Sequence, residues 1–350
     1  MRPIRTRHIQ LLKILLALLV LSACSVPIAT LAQQASKPAP APARWRGLIG
    51  EYGPDDNIVI VLEKDGGLFA LFRRERSEPL TEVSRNIFRF TNQNENRPVV
   101  FTRDRQGRAT QVALDATVLK RRNIEPTSGN QLRITPVRSV AELMKEALSA
   151  QPPQENGDFV QSDLVELRKL DPTVRLEVRY ATTNNFLGAR FYTQPRAFMQ
   201  RPAAEALVRA HRNLKRHGYG LLIHDAYRPW YVTKVFWDAT PQDKKWLVAD
   251  PSKGSRHNRG SAVDLTLYYL KSGKPVEMVA TYDESTVRSH SDYPGGTSLQ
   301  RWHRNLLRKA LEAEGFTINA DEWWHFDYKD WRSYRIGNVK FEEIGSKSQR

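Results

Sequence analysis

Apolar and polar residues alternate over much of the first half of the chain, which is the pattern of half-buried β-strands. This pattern predicts strands over residues 57–62, 68–72, 86–90, 98–102 and 109–119. The Asp65-Gly66 pair between the first two strands is a hairpin signal, because both residues tolerate the positive φ angles of a tight turn. Short strands at near-regular spacing predict a small antiparallel, barrel-like β module over residues 44–122.

The second half of the chain mixes helical and strand patterns. Helices are predicted over residues 139–150, 202–217, 230–239, 242–249 and 298–314. Strands are predicted over residues 163–167, 174–180, 220–224, 262–270 and 323–328. Because these elements do not follow a regular βαβ rhythm, the sequence favours an α+β domain over residues 158–346, with a mostly antiparallel sheet and flanking helices.

The first 32 residues have the pattern of a secretory signal. Four basic residues precede an apolar run over residues 14–21, which is too short for a committed membrane span. The run ends in Leu21-Ser22-Ala23-Cys24, which resembles a bacterial lipoprotein box and predicts a lipid anchor on Cys24. The alternative is cleavage after Ala32, which the apolar residues following Cys24 favour. Both interpretations predict an exported protein, either periplasmic or anchored to the outer membrane facing the periplasm.

Two further segments connect the predicted domains. Residues 33–43 alternate Pro and Ala, which predicts an extended, semi-rigid linker. Residues 123–157 form a connecting segment with one helix. The predicted order is therefore signal, linker, β module, connecting segment and α+β domain.

Composition narrows the classes of function. Among 350 residues, 40% are hydrophobic, which excludes a largely disordered protein. The formal net charge of +16 favours an anionic partner such as a membrane surface or a cell-wall polymer. Nucleic acid is not an expected partner, because the chain has no helix-turn-helix, zinc-finger or RNA-binding signature. Cys24 is the single cysteine, so any metal must be held by His, Asp or Glu.

Two short segments carry the residue types of a catalytic metal site. His257 and Asp264 are seven residues apart in the first, and Glu322 lies three residues before His325 in the second. The predicted strands would bring Asp264 and His325 to one pocket. Two imidazoles and a carboxylate suit one Zn²⁺ per chain with a position open for water, and Glu322 would then be free to move protons. A single His is more often structural, so the hypothesis depends on the combination.

These motifs resemble those of a known family. The pattern Ser255-x-His257-x-x-Gly260-x-Ala262-x-Asp264, followed by Glu322-x-Trp324-His325, is similar to that of the zinc D-alanyl-D-alanine dipeptidases (the VanX-like family) and of related D,D- and L,D-carboxypeptidases. The segments at 225–229 and 180–186 resemble the dipeptidase branch in particular. The resemblance extends over about residues 163–334 and consists of several motifs in one order.

The resemblance implies a role for each candidate residue. His257, Asp264 and His325 correspond to the zinc ligands, and Glu322 corresponds to the general base and acid. Arg228 corresponds to a cation that stabilises the oxyanion. Ser255 corresponds to a serine that contacts the substrate, and Asp283 to an acid that holds the substrate's amino group. The segment before Asp283, Met278-Val279-Ala280-Thr281-Tyr282, departs from the family pattern, which usually has Gly and Phe there. This departure bears on the shape of the substrate pocket and not on the metal chemistry.

The β module resembles the small lipocalin-like modules appended to some secreted hydrolases. The resemblance depends on Gly50-Glu51-Tyr52, the Asp65-Gly66 turn and Phe101-x-Arg103-Asp104-x-x-Gly107. No catalytic group is evident in this module, so a packing, ligand-positioning or purely structural role is expected.

The sequence therefore predicts an exported zinc dipeptidase that acts on D-Ala-D-Ala or a related small peptide, with a role in cell-wall turnover. A carboxypeptidase that trims peptidoglycan stem peptides is the alternative enzyme. A non-catalytic cell-envelope scaffold is the alternative from another class, and the complete set of ligands, base and cation argues against it.

Overall fold

The computed structural model describes residues 36–91, 97–122 and 132–345. The predicted signal, including Cys24, lies outside this range, as does the start of the connecting segment. The described residues from Pro38 onward form one compact unit. None of the helices in the described ranges is both long and apolar enough to cross a membrane.

Eight antiparallel strands form a meander in the N-terminal part, and each strand pairs with its neighbours in the sequence. The strands are β1 (Gly50–Tyr52), β2 (Val59–Lys64), β3 (Gly67–Phe72), β4 (Arg76–Ser84), β5 (Ile87–Phe90), β6 (Pro98–Arg103), β7 (Ala109–Leu114) and β8 (Thr117–Lys120). A bridge between Tyr52 and Arg121 joins the two edges, so the sheet is a nearly closed barrel. A barrel-like β module is what the alternating pattern predicts.

Two strands of the barrel were not predicted, and one predicted strand is divided. The predicted strand over 109–119 is wrong as a single element, because a turn at Asp115, with φ of 53°, separates β7 from β8. Strand β1 has only three residues, and most positions of β4 are polar, so neither has a clear apolar alternation. Pairing with neighbouring strands, rather than local pattern, holds these two segments in the sheet.

Side chains fill the interior of the barrel. Tyr52 and Phe88 both pack edge-to-face on Phe101, and all three are fully buried. The barrel is thus a packed core that stabilises the module. A short helix, α1 (Ala43–Arg46), precedes the barrel, and Ala41 is already buried. The C-terminal end of the predicted linker is therefore packed rather than extended.

A second sheet of five strands forms the centre of the C-terminal part, in the order β10-β12-β13-β15-β14. These strands are β10 (Arg175–Leu176), β12 (Tyr219–Asp225), β13 (Ala262–Tyr269), β14 (Phe316–Ile318) and β15 (His325–Tyr328). Three of the four pairings in the described chain are antiparallel, and β10 pairs with β12 in parallel. A separate pair joins β9 (Leu164–Glu166) and β11 (Phe198–Gln200).

Helices flank this sheet. They are α2 (Val140–Ser149), α3 (Leu167–Leu170), α4 (Arg201–Lys215), α5 (Trp230–Ala239) and α6 (Ser298–Glu312). Helix α5 has the predicted bounds, and α2, α4 and α6 lie within the predicted ranges to within one residue. The predicted helix over 242–249 is a 3₁₀ helix at Gln242–Leu247.

The predicted strand over residues 174–180 is wrong beyond Leu176. The chain instead forms a 3₁₀ turn at Arg179–Ala181, and Tyr180 packs against Phe186, Phe191 and Phe236. Burial of these rings in a common cluster outweighs the local strand pattern. This cluster lies next to the candidate site and supports one of its walls.

Candidate metal centre and substrate pocket

The sheet brings two of the predicted ligands together. Asp264 on β13 is the direct partner of His325 on β15, as the sequence predicted for adjacent strands. His257 begins a short 3₁₀ turn, His257–Arg259, which ends at Gly260 with φ of 67°. This left-handed conformation favours glycine and turns the chain from His257 back to β13.

The three side chains form a compact ligand group. His325 Nδ1 is 3.0 Å from Asp264 Oδ1, His257 Nε2 is 3.4 Å from the same oxygen, and the two ring nitrogens are 3.2 Å apart. Tetrahedral zinc with bonds of about 2.0–2.1 Å requires ligand atoms roughly 3.3–3.4 Å apart. The donor set and its spacing therefore fit zinc, and these residues form the candidate metal group of the described chain.

Each ligand is oriented by a further contact. The second nitrogen of His257, Nδ1, is 2.7 Å from the carbonyl of Ala226, and Nε2 of His325 is 3.0 Å from Asp327 Oδ1. Tyr282 donates its hydroxyl to Asp264 Oδ2 at 3.1 Å. Contacts of this kind fix which imidazole nitrogen faces a metal and raise metal affinity.

Electrostatics favour a charged carboxylate at the centre. Burial alone would raise the pKa of Asp264, but the adjacent His257 and His325 lower it well below its usual range. Asp264 is therefore ionised across the physiological range, which is the state that binds a cation.

Glu322 lies beside this group without belonging to it. Its Oε2 is 3.7 Å from His325 Nδ1 and accepts a long hydrogen bond from Asn319 Nδ2 at 3.4 Å. Partial burial raises the pKa of Glu322, the charge of Asp264 adds to this effect, and His325 opposes it. A carboxyl group with a raised pKa is suited to accept and then release a proton near neutral pH.

Arg228 is held in place by a buried acid. Its Nε and Nη2 donate to Asp225 Oδ2 at 2.9 and 2.7 Å, and Tyr192 donates to Asp225 Oδ1 at 2.8 Å. The guanidinium also lies over Phe236, 5.0 Å from the ring centroid. This is a buried, oriented ion pair rather than a surface one, and the cation lines the same cavity as His257.

Asp283 is the strained and unpaired acid of the site. Its backbone has φ of 59°, and its Oδ2 is buried with no hydrogen-bond partner among the described residues. Burial raises the pKa of Asp283 well above its ordinary value, and the charges of Asp264 and Glu322 add to this effect. A buried acceptor without a partner is costly, so this position is suited to a ligand that supplies a donor.

All seven predicted active-site residues line one cavity of about 710 Å³. These are the three candidate ligands together with Glu322, Arg228, Ser255 and Asp283. Ser255 accepts a hydrogen bond from the backbone N–H of His257 at 3.2 Å, so its hydroxyl lies close to the ligand turn. At the mouth of the cavity Trp246 is 75% exposed, which leaves its ring free for contact with a bound molecule.

Sequence reasoning did not identify three residues that orient this site. Asp327 is two positions after His325, and residues at i and i+2 share a strand face, so this spacing was a usable signal. Asp225 begins the 225–229 motif, but its pairing with Arg228 depends on the turn that follows β12. Tyr282 reaches Asp264 from a long loop, and no local pattern predicts that contact.

The α+β part of the chain is similar to a known family of peptidases. A family model described as D-Ala-D-Ala dipeptidase, within peptidase M15, matches residues 160–341. A D-alanyl-D-alanine dipeptidase of Escherichia coli is 34% identical over 175 residues, which are 50% of this chain and 89% of the relative. The corresponding protein of Enterococcus faecalis is 35% identical over 178 residues, 45% of this chain and 87% of the relative. That of Streptomyces coelicolor is 32% identical over 192 residues, 50% of this chain and 93% of the relative. The β module lies outside the family match.

Proposed function

Since this chain belongs to the D-Ala-D-Ala dipeptidase family of the M15 peptidases, we propose that it hydrolyses D-Ala-D-Ala, or a closely related dipeptide, with zinc as cofactor. The observation that carries the proposal is the convergence of His257, Asp264 and His325 at tetrahedral spacing, with Glu322 beside them. A zinc ion held by these three residues would supply Lewis-acid activation of the attacking water at neutral pH.

Glu322 acts as the proton carrier in this proposal. Its carboxylate accepts a proton from the attacking water as the new C–O bond forms at the scissile carbonyl carbon. The same group then gives that proton to the leaving amine as the C–N bond breaks, so the carboxylate is restored. The position of its carboxylate supports this role, because Oε2 lies 3.7 Å from the ligand atom of His325 and is not itself part of the ligand group.

Arg228 stabilises the negative charge that develops on the carbonyl oxygen. A guanidinium is permanently charged and presents several donors in a fixed plane. The two hydrogen bonds to Asp225 hold that plane in position before the substrate binds. Preorganised donors of this kind are typically among the largest contributions to catalysis.

Asp283 and Ser255 orient the substrate. The raised pKa of Asp283 favours the neutral carboxyl in the empty cavity, and the free ammonium group of a bound dipeptide would favour the carboxylate, because an opposite charge stabilises the charged form. An N-blocked peptide has no such ammonium group. The hydroxyl of Ser255 lies at the same cavity, next to the ligand turn. The proposed preference is therefore for short peptides with a free N-terminus.

A hydrolysis assay tests this proposal. Free D-Ala-D-Ala, L-Ala-L-Ala and N-acetyl-D-Ala-D-Ala are each incubated with the chain from Gln33 onward, with and without a chelator. The expected result is much faster cleavage of the free D,D dipeptide than of the other two peptides, lost with the chelator and restored by zinc. If none of the three peptides is cleaved by zinc-loaded protein, the proposed activity is wrong.

The size of the cavity favours a second candidate, a carboxypeptidase that trims peptidoglycan stems. A volume of about 710 Å³ falls in the range of sites for much larger ligands than a dipeptide of two alanines. Exposed Trp246 at the mouth would contact the extra residues. Efficient cleavage of the N-blocked peptide, weakened in Trp246→Ala, would favour this candidate over the dipeptidase.

We also propose that the protein is exported and recovers dipeptide released during cell-wall turnover. The basic n-region, the apolar run and Cys24 support export, and the net charge of +16 suits an anionic envelope surface. Labelling with a radioactive fatty acid and cell fractionation test the lipid anchor. Label in the wild type and not in Cys24→Ala is expected, whereas an unlabelled periplasmic protein would support cleavage after Ala32.

A further inference from the structure

Strand β2 of the barrel is apolar on both faces. Val59 and Val61 belong to the barrel core, whereas Ile58, Ile60 and Leu62 belong to a second buried cluster on the outer side of the strand. A strand with one solvated face alternates apolar and polar residues, and a continuous apolar run is typical of a strand covered on both sides. The outer face of β2 is therefore built to be covered by another part of the chain.

The covering segment is the loop over residues 279–297, here called the wall loop, which precedes helix α6. Val279 and Tyr293 from this loop are buried in the same cluster as the outer face of β2, and Val287 packs against it. Tyr293 also donates its hydroxyl to Glu51 Oε1 of the barrel at 2.6 Å. The wall loop is thus held on the barrel by apolar contacts and by the buried hydrogen bond of Tyr293.

The C-terminal end of the wall loop is fixed by a second acid of the barrel. The backbone N–H of Glu63 donates to the carbonyl of Gly296 at 3.1 Å. Its carboxylate accepts from the backbone N–H of Ser298, the first residue of α6, at 2.8 Å. An acid at a helix N-terminus is favourable because it meets unpaired N–H groups and the positive end of the helix dipole.

The other side of the same loop faces the candidate active site. Asp283, Glu284, Thr286 and Ser289 line the 710 Å³ cavity, and Asp283 is the unpaired acid described above. The barrel and the substrate cavity therefore contact opposite sides of one loop. We propose that the β module is a buttress that sets the position of the wall loop, with Glu51 and Tyr293 as positioning residues for Asp283.

The Glu51–Tyr293 pair is well suited to this role. Glu51 is 1% exposed and Tyr293 is 4% exposed, and the second carboxylate oxygen of Glu51 is 3.6 Å from Arg122 Nε. A buried carboxylate is stable only when its hydrogen-bond and charge partners are in place. Glu51 therefore favours the one position of the wall loop in which Tyr293 can donate to it. The segment Gly50-Glu51-Tyr52, whose sequence pattern predicts no catalytic role, thereby contains a contact with the active-site wall.

The inference rests on the proposed function in one respect, namely that Asp283 recognises the free amino group of the substrate. Tyr293→Phe removes the hydrogen bond, and Glu51→Gln weakens it by replacing a charged acceptor with a neutral one, in both cases with little change in shape. We expect kcat/KM for free D-Ala-D-Ala to fall about ten- to a hundredfold, mainly through KM, because a misplaced recognition group costs this much. The slower cleavage of N-acetyl-D-Ala-D-Ala and the zinc affinity should stay within about twofold.

Glu82→Gln is the matched control, because this acid is also in the barrel but pairs with Arg44 and Trp45 instead of the wall loop. Glu82→Gln should leave unchanged the ratio of kcat/KM for the free dipeptide to kcat/KM for the N-acetylated one. In an Asp283→Asn background, Tyr293→Phe should have no further effect on that ratio. The buttress proposal would be wrong if Tyr293→Phe lowered kcat/KM equally for both peptides, or if Glu82→Gln lowered kcat/KM for the free dipeptide as much as Tyr293→Phe does.

Hydrogen exchange separates failure of the buttress from failure of the proposed function. Faster amide exchange over residues 279–297 in Glu51→Gln than in Glu82→Gln supports the buttress, even if the wild type cleaves neither peptide and the proposed activity is thereby wrong. Unchanged exchange of the wall loop in both Glu51→Gln and Tyr293→Phe overturns the buttress, whatever the wild-type activity.

Discussion

Asp264 and His325 are direct cross-strand partners, and their ligand atoms Oδ1 and Nδ1 lie 3.0 Å apart although 61 residues separate them in the sequence. Backbone pairing of β13 with β15 sets this distance, so two of the three candidate ligands are preorganised by the sheet. The third ligand, His257, lies on a 3₁₀ turn, and the left-handed conformation of Gly260 at the end of this turn sets its position. A site built on strands holds its geometry more precisely than one built on loops.

Neutralising the acceptor that faces His325 should weaken metal binding. Asp327→Asn removes the charge that orients the imidazole through Nε2. We expect zinc affinity to fall by about 10- to 100-fold, with much of kcat recovered at saturating zinc, because the ligands themselves remain. Competition with a fluorescent chelator measures the affinity. Asp330→Asn, at the end of the same segment, should bind zinc as the wild type does, and equal affinities in both variants would contradict this role for Asp327.

Replacing the proton carrier, Glu322, should greatly lower kcat without weakening zinc binding. Glu322→Gln keeps the shape of the side chain but cannot accept a proton, so kcat should fall by about 10²- to 10⁴-fold. Zinc affinity should change little, because Glu322 is outside the ligand group. The measurements are steady-state kinetics and metal content after dialysis. Glu314→Gln, whose carboxylate pairs with Arg209 on the surface, serves as the control. A Glu322→Gln enzyme with normal kcat would exclude this residue as the base.

The position of the cation should matter as much as its charge. Arg228→Lys retains one positive charge but cannot keep two donors on Asp225 while presenting others to the substrate, so we expect kcat to fall by about 10²- to 10³-fold. Asp225→Asn should cause a smaller loss, since Arg228 keeps its charge but loses its orientation. Both effects should appear in kcat more than in KM. A change confined to KM would instead assign Arg228 to ground-state binding.

A buried histidine outside the site should make stability depend on pH. Nδ1 of His211 accepts from the N–H of Leu221 at 3.1 Å, and Nε2 is 2.9 Å from Thr173 Oγ1. Burial lowers the pKa of His211 from 6.5 to about 4. Between these values the unfolded chain takes up a proton that the folded chain does not, so this contribution to stability is complete above pH 6.5 and is lost as pH falls to about 4.

The test compares the thermal unfolding of wild type and His211→Gln between pH 7 and pH 4, with a chelator present. The difference in Tm between the two proteins should shrink as pH falls. The comparison is needed because the pKa values of Asp283 and Glu322 are raised in the folded chain, so their protonation increases stability as pH falls, opposite to the effect of His211. His217→Gln, at an exposed position, should track the wild type. A constant difference between wild type and His211→Gln would show that His211 does not titrate in this way.

The elements that sequence predicted well are those whose pattern is local. Helix α5 matched its predicted bounds, and α4 ends before Gly218, whose φ of 85° favours glycine. The pairing of Asp264 with His325 followed from two strand patterns and one chemical requirement. What could not be predicted depends on tertiary contacts. The ring cluster that turns Tyr180 out of a strand and the long-range hydrogen bond from Tyr282 to Asp264 are both of this kind.

The meander of the β module has a consequence for how the protein folds. Each of its strands pairs with a sequence neighbour, so only short loops must close, whereas the central pairing in the second sheet joins residues 61 positions apart. Local pairings form faster than distant ones, and the N-terminal part leaves the ribosome first. We expect the barrel to form early, so that the chain carrying Asp283 meets a surface that is already in place. Trp45, the barrel's own tryptophan, would then report a faster phase of refolding than the metal centre.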